Sequence, residues 1–418
     1  MNLLVLSINY APESTGFAPH VSALCEYLVG QGHGVTVLTG FPFAPNWSRW
    51  PEYKGQFIKR EHLNGIQVVR LTHFIPRRAG QMLQRLLMEG SFCLMALCLS
   101  LTKVGSDWDL ILYVGSQPSI AMLAKWLARI RSIPYIVSIQ DLAAQAAAGV
   151  GIVKAPRLVR ILDRFEYLAY GGASGAIVLC EAFQSALIAH GYPAERIRVI
   201  RSPVDIERIR PVMPDPAFRQ NQHFAEDDFV VLYSGSMGLK QGLANVVEAA
   251  KLLKDKCPVV KWLLIGDGEL KPVLQELVAR YDLGERVRLL PLQSEGYMST
   301  MFASADILLL SQLSAVKDTV IPSKLLTYMA AGRGVLAVAS PSSQAAILLN
   351  DAKGGLLVQP EDPVALAHAV KHLQAKPDAL ENMGRRNREY AEKNFDQRRI
   401  VAAQEAFLLE IAAKAKTC

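Results

Sequence analysis

No leucine-rich uncharged stretch of this chain is long enough to cross a bilayer. Gly90 to Thr102 is thirteen residues, about 20 Å as a helix, where spanning takes about 20 apolar residues. The six cysteines, Cys25, Cys93, Cys98, Cys180, Cys257 and Cys418, are scattered without a C-x-x-C pair, so neither a zinc site nor a disulfide framework is indicated and a reducing compartment fits. Charge of one sign is also scarce: 45 − 38 gives +7 over 418 residues. That excess argues against a dedicated nucleic-acid binder and for an anionic ligand or lipid surface. Met1 to Leu6 offers no basic segment ahead of its apolar run, so a secretory signal is not expected and the chain is placed in the cytoplasm. No repeat of 20 to 50 residues appears.

What is present is apolar and long. A 51% hydrophobic composition with mean hydropathy +0.18 excludes a disordered chain, and 418 residues exceed what one hydrophobic core holds. Strand-like runs alternate with helix-period stretches: Leu3 to Ile8, then a helix over His20 to Leu28, then Val35 to Thr39. Strands at 67–70, 110–114, 135–139, 176–180 and 198–200 continue the series. The pattern lapses between Pro203 and Asp228, among Pro211, Pro214 and Pro216, which reads as a linker. A second series follows at 229–233, 260–265, 287–290, 307–310, 335–338 and 355–358. The expected architecture is α/β, two consecutive parallel-sheet domains with a cleft at the carboxyl ends of their strands. A mostly helical tail runs from Pro377 and is interrupted at Asn394-Phe395-Asp396, with Asp396 an N-cap candidate.

One segment leans towards a membrane. Met82 to Leu101 is rich in leucine and methionine, and Arg77, Arg78 and Arg85 lie beside it, the pattern of an interfacial helix. A buried helix of the first domain has the same composition.

Chemistry concentrates at glycine turns. Tyr233-Ser234-Gly235-Ser236-Met237-Gly238-Leu239-Lys240-Gln241-Gly242 leaves a strand and enters a helix, so backbone amides and Lys240 together suit a diphosphate. An ordinary strand-to-helix turn with a solvated lysine has the same spacing. Ile265-Gly266-Asp267-Gly268 follows the next strand. Pro322-Ser323-Lys324-Leu325 opens a helix, with Pro322 in its first turn and the amides of Ser323, Lys324 and Leu325 aimed outward. In the first half, Asp141 ends an apolar run at a strand's carboxyl end, where it would bind an acceptor hydroxyl or cap the helix beginning at Leu142. His20 stands near the first loop as a catalytic or structural histidine.

These residues, with Asn9-Tyr10-Ala11-Pro12-Glu13-Ser14-Thr15-Gly16, Gln140-Asp141-Leu142, Tyr328 to Gly332 and Arg385 to Phe395, resemble in order and spacing the family 4 glycosyltransferases of GT-B fold, most of all those of bacterial exopolysaccharide assembly. The resemblance runs nearly end to end. It implies two Rossmann-like domains facing across a cleft: an acceptor-binding domain over 1–204, joined by a terminal helix at about 396–418, and a nucleotide-sugar donor domain over 205–395. It also implies retaining, metal-independent transfer of a hexosyl group from a UDP- or GDP-linked sugar to a saccharide acceptor, polyprenyl-diphosphate-linked, at the inner face of the membrane. No cofactor beyond the nucleotide sugar is implied. By position Lys240 neutralises the departing diphosphate, Gly16 brings it a backbone amide, and Asp141 is the acceptor-side carboxylate. Gly235, Ser236, Gly266, Asp267, Pro322, Ser323, Lys324 and Leu325 hold the donor, and Tyr10, Thr15 and His20 face the acceptor.

The chain departs from the family pattern in three places. Thr319 and Thr327 stand where two glutamates eight residues apart usually contact the donor. Ser236 and Met237 occupy the region of an arginine before the lysine, and Phe17 and Ala18 follow Gly16 where a second glycine is common. Two other readings stay open: a soluble nucleotide-sugar enzyme, such as a 2-epimerase or small-acceptor transferase, and a non-catalytic GT-B binding protein.

Overall fold

The computed structural model describes residues 1–14, 16–44, 46–76, 81–100, 107–144, 155–315 and 322–417. They form two compact units, one of residues 1–203 with 398–418 and one of residues 204–397.

In the first unit the strands are β1 (Asn2–Leu6), β2 (Gly34–Gly40), β3 (Ile58–Leu63), β4 (Ile66–Leu71), β5 (Leu110–Gly115), β6 (Tyr135–Ile139), β7 (Gly175–Val178) and β8 (Ile197–Val199). Their order is β3-β4-β2-β1-β5-β6-β7-β8, and all pairs are parallel except β3 with β4. The central strands are continuous apolar runs because helices cover both faces of the sheet. Helix Ala18–Gly30 buries Val21, Leu24, Cys25 and Leu28, the i, i+3, i+4, i+7 stripe of an amphipathic helix. Strand β3 is an addition to the expected set. Its sequence Ile-Lys-Arg-Glu-His-Leu alternates half-buried and exposed positions at a sheet edge, and it is joined to β4 by an Asn64-Gly65 turn with φ of 52° and 80°, the conformation that favours Asn-Gly hairpins.

The second unit carries β9 (Phe229–Ser234), β10 (Val260–Ile265), β11 (Val287–Leu290), β12 (Ile307–Ser311), β13 (Val335–Val338) and β14 (Gly355–Val358), ordered β11-β10-β9-β12-β13-β14 and parallel throughout. The stretch expected as a linker is part of this unit. Asp215 caps the short helix Pro216–Asn221 through the amide of Ala217 at 2.9 Å, and Phe218 and Phe224 enter the core. Val204 lies beside Asp396 in a β-bridge, with Val204 N donating to Phe395 O at 2.7 Å and Gln397 N to Val204 O at 3.0 Å. The chain therefore enters and leaves the second unit at adjacent positions.

Helix Gln397–Thr417 returns to the first unit, where Val401, Phe407, Leu408 and Ile411 join the core of Leu3, Val5, Leu24 and Leu28. Glu405 fixes its register by accepting from Tyr27 Oη at 3.1 Å and meeting His33 Nε2 at 2.8 Å.

Helix Met82–Ser100 corrects the buried-core alternative. Only Met88, Phe92 and Ala96 are buried, while Leu83, Leu86, Leu87 and Leu94 are exposed. The helix begins eight residues before the uncharged run and takes in Arg85 and Glu89. Among the described residues it is the one helix long and apolar enough to cross a membrane by length and composition, and 17% of its 18-residue window is buried.

Because Leu408 is fully buried, Leu408→Ala is expected to destabilise the protein by about 2–5 kcal/mol. Urea unfolding reads this directly, and a loss below about 1 kcal/mol would remove the terminal helix from the load of the core.

Candidate functional site

Strands β9 and β10 pair in register to their ends, Tyr233 with Leu264 and Ser234 with Ile265. Their turns therefore leave the sheet at one level. The second sheet switches direction at β9, with β10 on one side and β12 on the other, the kind of place where open α/β sheets bind ligands beyond the carboxyl ends of strands. Gly235, Gly266 and Gly268 have φ of 134°, 154° and 149°, which only glycine adopts freely. A Cβ at Gly266 would lie 1.8 Å from Gly235 O, and one at Gly268 would lie 2.7 Å from Met237 O. The turns are locked by Met237 N donating to Asp267 O at 2.7 Å and Leu270 N to Met237 O at 3.0 Å. Asp267 is exposed and its Oδ1 accepts from Gly268 N at 2.8 Å, so its carboxylate closes its own turn.

Leu239–Gln241 is a 3₁₀ turn, followed by Gly242 at φ 58° and helix Leu243–Leu253. The amides of Gly238, Gln241 and Gly242 already donate within the turn. The amide cradle is thus narrower than the glycine pattern implies, and the turn geometry leaves the first N–H groups, of Leu239 and Lys240, for a ligand. The Lys240 side chain is exposed. Its carbonyl accepts from Leu313 N at 2.9 Å, and Ser311 Oγ donates to Gln241 O at 2.6 Å, so the end of β12 holds the lysine turn. Ser236 is exposed at the same rim.

Lys324 reaches this place from helix Ser323–Ala330. Its ammonium donates to Tyr233 Oη and lies 4.2 Å from the centre of that ring, and a Cβ at Gly235 would meet its Cε at 2.3 Å. Burial pushes the Lys324 ammonium down to about 7 and the Tyr233 phenol upward. A lysine so poised takes up a proton when an anion arrives beside it. Two of the expected donor contacts change. Pro322 is the N-cap residue rather than the first helical one. Leu325 N donates to Pro322 O at 2.9 Å, and the Leu325 side chain is fully buried, so Leu325 is a core residue. Ser323 and Lys324 keep the two leading amides. Thr327 Oγ1 donates to Ser323 O at 3.1 Å, and Thr319 lies outside the described residues. Lys271, which no motif marks, donates to Gly266 O at 3.0 Å and is a third lysine at these turns.

In the first unit the loop after β1 is held by two buried charges. Glu13 accepts from the amides of Phe43 and Ala44 and from Asn9 Nδ2, each at 2.8 Å. Arg70, with no exposed surface, donates to Ala11 O and to Glu61 and lies 5.3 Å from the centre of the Tyr53 ring. Gly16 is exposed with φ 65°, at the entry to helix Ala18–Gly30. Tyr10 is not an acceptor-facing residue: it is 2% exposed, packs in the core, and burial pushes its phenol up. Thr15 lies outside the described residues.

Asp141 is partly buried beyond the end of β6. The two amides that follow Leu142 are held by Glu166, whose carboxylate accepts from Ala143 N at 2.8 Å and Ala144 N at 3.1 Å, and from Tyr170 Oη at 3.0 Å. Burial pushes the Glu166 carboxyl up, against the pull of those donors. His20, lowered to about 4 by burial, is a neutral imidazole. It lines a small cleft with Ser138, Gln140, Leu179, Arg201 and Ser202 at the carboxyl ends of β6, β7 and β8. Arg201 had no motif to mark it.

Among the described residues no three His, Cys, Asp or Glu side chains group to hold a metal ion. The chain has one D-x-D pair, Asp107-Trp108-Asp109. Asp109 Oδ2 accepts from Asn2 N at 2.8 Å and Asp107 O from Asn2 Nδ2 at 3.1 Å, at the amino end of β5. Arg85 is exposed on helix Met82–Ser100, whereas Arg77 and Arg78 lie outside the described residues.

Comparison with known proteins agrees with this geometry. The Glycosyl transferase 4-like domain family matches residues 15–203, and Glycosyl transferases group 1 matches residues 214–390. The chain is 27% identical over 409 residues to the putative colanic acid biosynthesis glycosyl transferase WcaI of Escherichia coli K12, covering 96% of this chain and 98% of that one. It is 29% identical over 201 residues to the amylovoran biosynthesis glycosyltransferase AmsK of Erwinia amylovora, 47% of each chain. Among solved structures, sucrose-phosphate synthase of Thermosynechococcus elongatus superimposes with a TM-score of 0.75 at 20% identity, covering 99% of both chains. HepE of Anabaena, in complex with UDP, gives 0.72 at 17% identity, covering 98% of this chain and all of that one.

The depressed Lys324 predicts a pH signature. The unfolded chain binds a proton at Lys324 up to about pH 10.4, the folded one only to about 7. Stability relative to Lys324→Met should therefore rise with pH between these values and level off outside them. Thermal unfolding of both proteins across that window tests it, and a constant difference would contradict the buried, neutral lysine.

Proposed function

Because the chain belongs to the family 4 glycosyltransferases of GT-B fold, we propose that it is a retaining, metal-independent hexosyltransferase of exopolysaccharide biosynthesis. Its donor is a UDP- or GDP-linked sugar and its acceptor a polyprenyl-diphosphate-linked saccharide. The observation that carries this reading is the meeting of the Gly235 and Gly266 turns with Lys324 at the switch point of the second sheet, where the Gly235 turn leads in sequence to the one that carries Lys240. Backbone without side chains admits a bulky anion closely, and two lysines offset its charge.

In the transfer the bond from the anomeric carbon to the phosphate oxygen breaks with its electron pair on the diphosphate. The acceptor oxygen bonds the same face of the sugar, and its hydroxyl proton is released. Lys240 stabilises the charge that grows on the leaving diphosphate, a role in which a cation counts more in the transition state than in the ground state. Asp141 polarises the acceptor hydroxyl, and His20, neutral, is an acceptor contact rather than a proton donor. The second unit serves as the donor domain and the first as the acceptor domain. A lipid-linked acceptor calls for a peripheral position on the inner face of the cell membrane, for which Arg85 and the exposed leucines of helix Met82–Ser100 are suited.

The expected outcome for Lys240→Ala is a fall in turnover of about a hundredfold or more, read as nucleoside diphosphate released from a panel of UDP- and GDP-sugars with membrane-extracted acceptor. A variant that turned over normally would sink the leaving-group role.

A further inference from the structure

Three helices of the first unit, Met82–Ser100, Pro118–Arg131 and Pro156–Tyr170, lie in a row, the first packed on the second and the second on the third. They follow β4, β5 and β6, each leading to a parallel strand further along the sheet in one direction. Right-handed crossovers therefore put all three on one face. That face is apolar outward as well as inward. Leu83 is 70% exposed, Leu94 62%, Trp126 57%, Ile130 58%, Ile161 62% and Leu168 60%. On the third helix Leu158, Ile161, Phe165 and Leu168 recur at i, i+3, i+7 and i+10, and the adjoining stripe is Arg157, Arg160 and Arg164, all exposed. A strip of leucines edged by arginines is the composition of a helix that lies in a bilayer interface.

Charge decides between partners. The three helices carry Arg85, Lys125, Arg129, Arg131, Arg157, Arg160 and Arg164 against three acids, and each acid is engaged. Glu89 takes the hydroxyl of Ser119, Asp163 meets His190 at 2.9 Å, and Glu166 is buried on the Ala143 and Ala144 amides. A second copy meeting this face through a two-fold axis would set arginine against arginine. Anionic headgroups over an acyl boundary match both the charge and the leucines.

We propose that the whole three-helix face, and not helix Met82–Ser100 alone, rests on an anionic bilayer. Trp126, Ile130, Ile161 and Leu168 enter the acyl boundary while Arg157, Arg160 and Arg164 hold lipid phosphates. The proposal rests on the peripheral-membrane reading above and extends it to helices Pro118–Arg131 and Pro156–Tyr170.

Co-sedimentation of the full-length protein with vesicles of phosphatidylglycerol and phosphatidylcholine, against phosphatidylcholine alone, tests it. The triple variant Arg157→Gln/Arg160→Gln/Arg164→Gln is expected to bind anionic vesicles about a hundredfold more weakly. Ile161→Ser/Leu168→Ser should weaken binding as well, and Arg385→Gln/Arg386→Gln on the second unit should not. Brominated lipid should quench a part of the tryptophan emission that Trp126→Phe lacks. An unchanged thermal midpoint in each variant shows that folding is intact. If Arg85→Gln loses binding while the triple variant binds as wild type, the three-helix face is overturned and the peripheral reading stands. If the wild type binds no anionic vesicle, or this face instead drives self-association, both fall.

Discussion

Where β9 and β10 end, two turns pass so close that one methyl group on Gly266 would sit 1.8 Å from the carbonyl oxygen of Gly235. Backbone can approach backbone there only because neither residue has a side chain, and the positive φ of both excludes other residues a second time. The rest of this cluster of turns follows from the contact. With the turns together, Met237 and Asp267 exchange a hydrogen bond, the 3₁₀ turn presents Lys240 from a fixed base, and Lys324 lies over Tyr233 in the space Gly235 leaves open. Spread the turns by a methyl group and Lys324 loses the space it occupies beside Gly235.

The first unit uses its charges differently. Glu13, Arg70 and Glu166 are buried and are directed at main-chain groups: Glu13 and Glu166 accept amides, and Arg70 donates to a carbonyl. Charge-assisted bonds of this kind are worth about 1.5–3 kcal/mol each when their partners are kept, and leave a costly unpaired ion when they are not. They hold the loop after β1 and the start of the segment after Asp141, and so act by positioning backbone.

Much of this was legible in the residues. Thirteen strands announced themselves as short apolar runs, and the glycine turns by composition. What escaped was of two kinds. Strand β3 hid because an edge strand alternates with solvent, so Lys59, Arg60 and Glu61 mask its period, although the Asn64-Gly65 turn marked it. Long-range partnerships hid because sequence order carries no distance: Lys324 meets Tyr233 across 91 residues, Glu166 reaches back to Ala143 across 23, and no local pattern foretells either. Helix Met82–Ser100 shows the limit of composition, since an apolar helix reads alike whether its leucines face a core or the outside. The outward amide expected of Leu325 failed for a related reason: the carbonyl of Pro322 already takes it.

The side-by-side pairing of Val204 and Asp396 makes the second unit an insertion in the first. Synthesis therefore finishes the two in the opposite order to that in which it starts them. The second unit has all of its residues while the first still lacks Phe407, Leu408 and Ile411, which complete the core around Leu3, Val5 and Leu24. A nascent chain thus exposes unfinished apolar surface on the first unit until helix Gln397–Thr417 emerges, at about 5–20 residues per second. Chaperone demand in this protein should fall on its beginning, and be settled by its end.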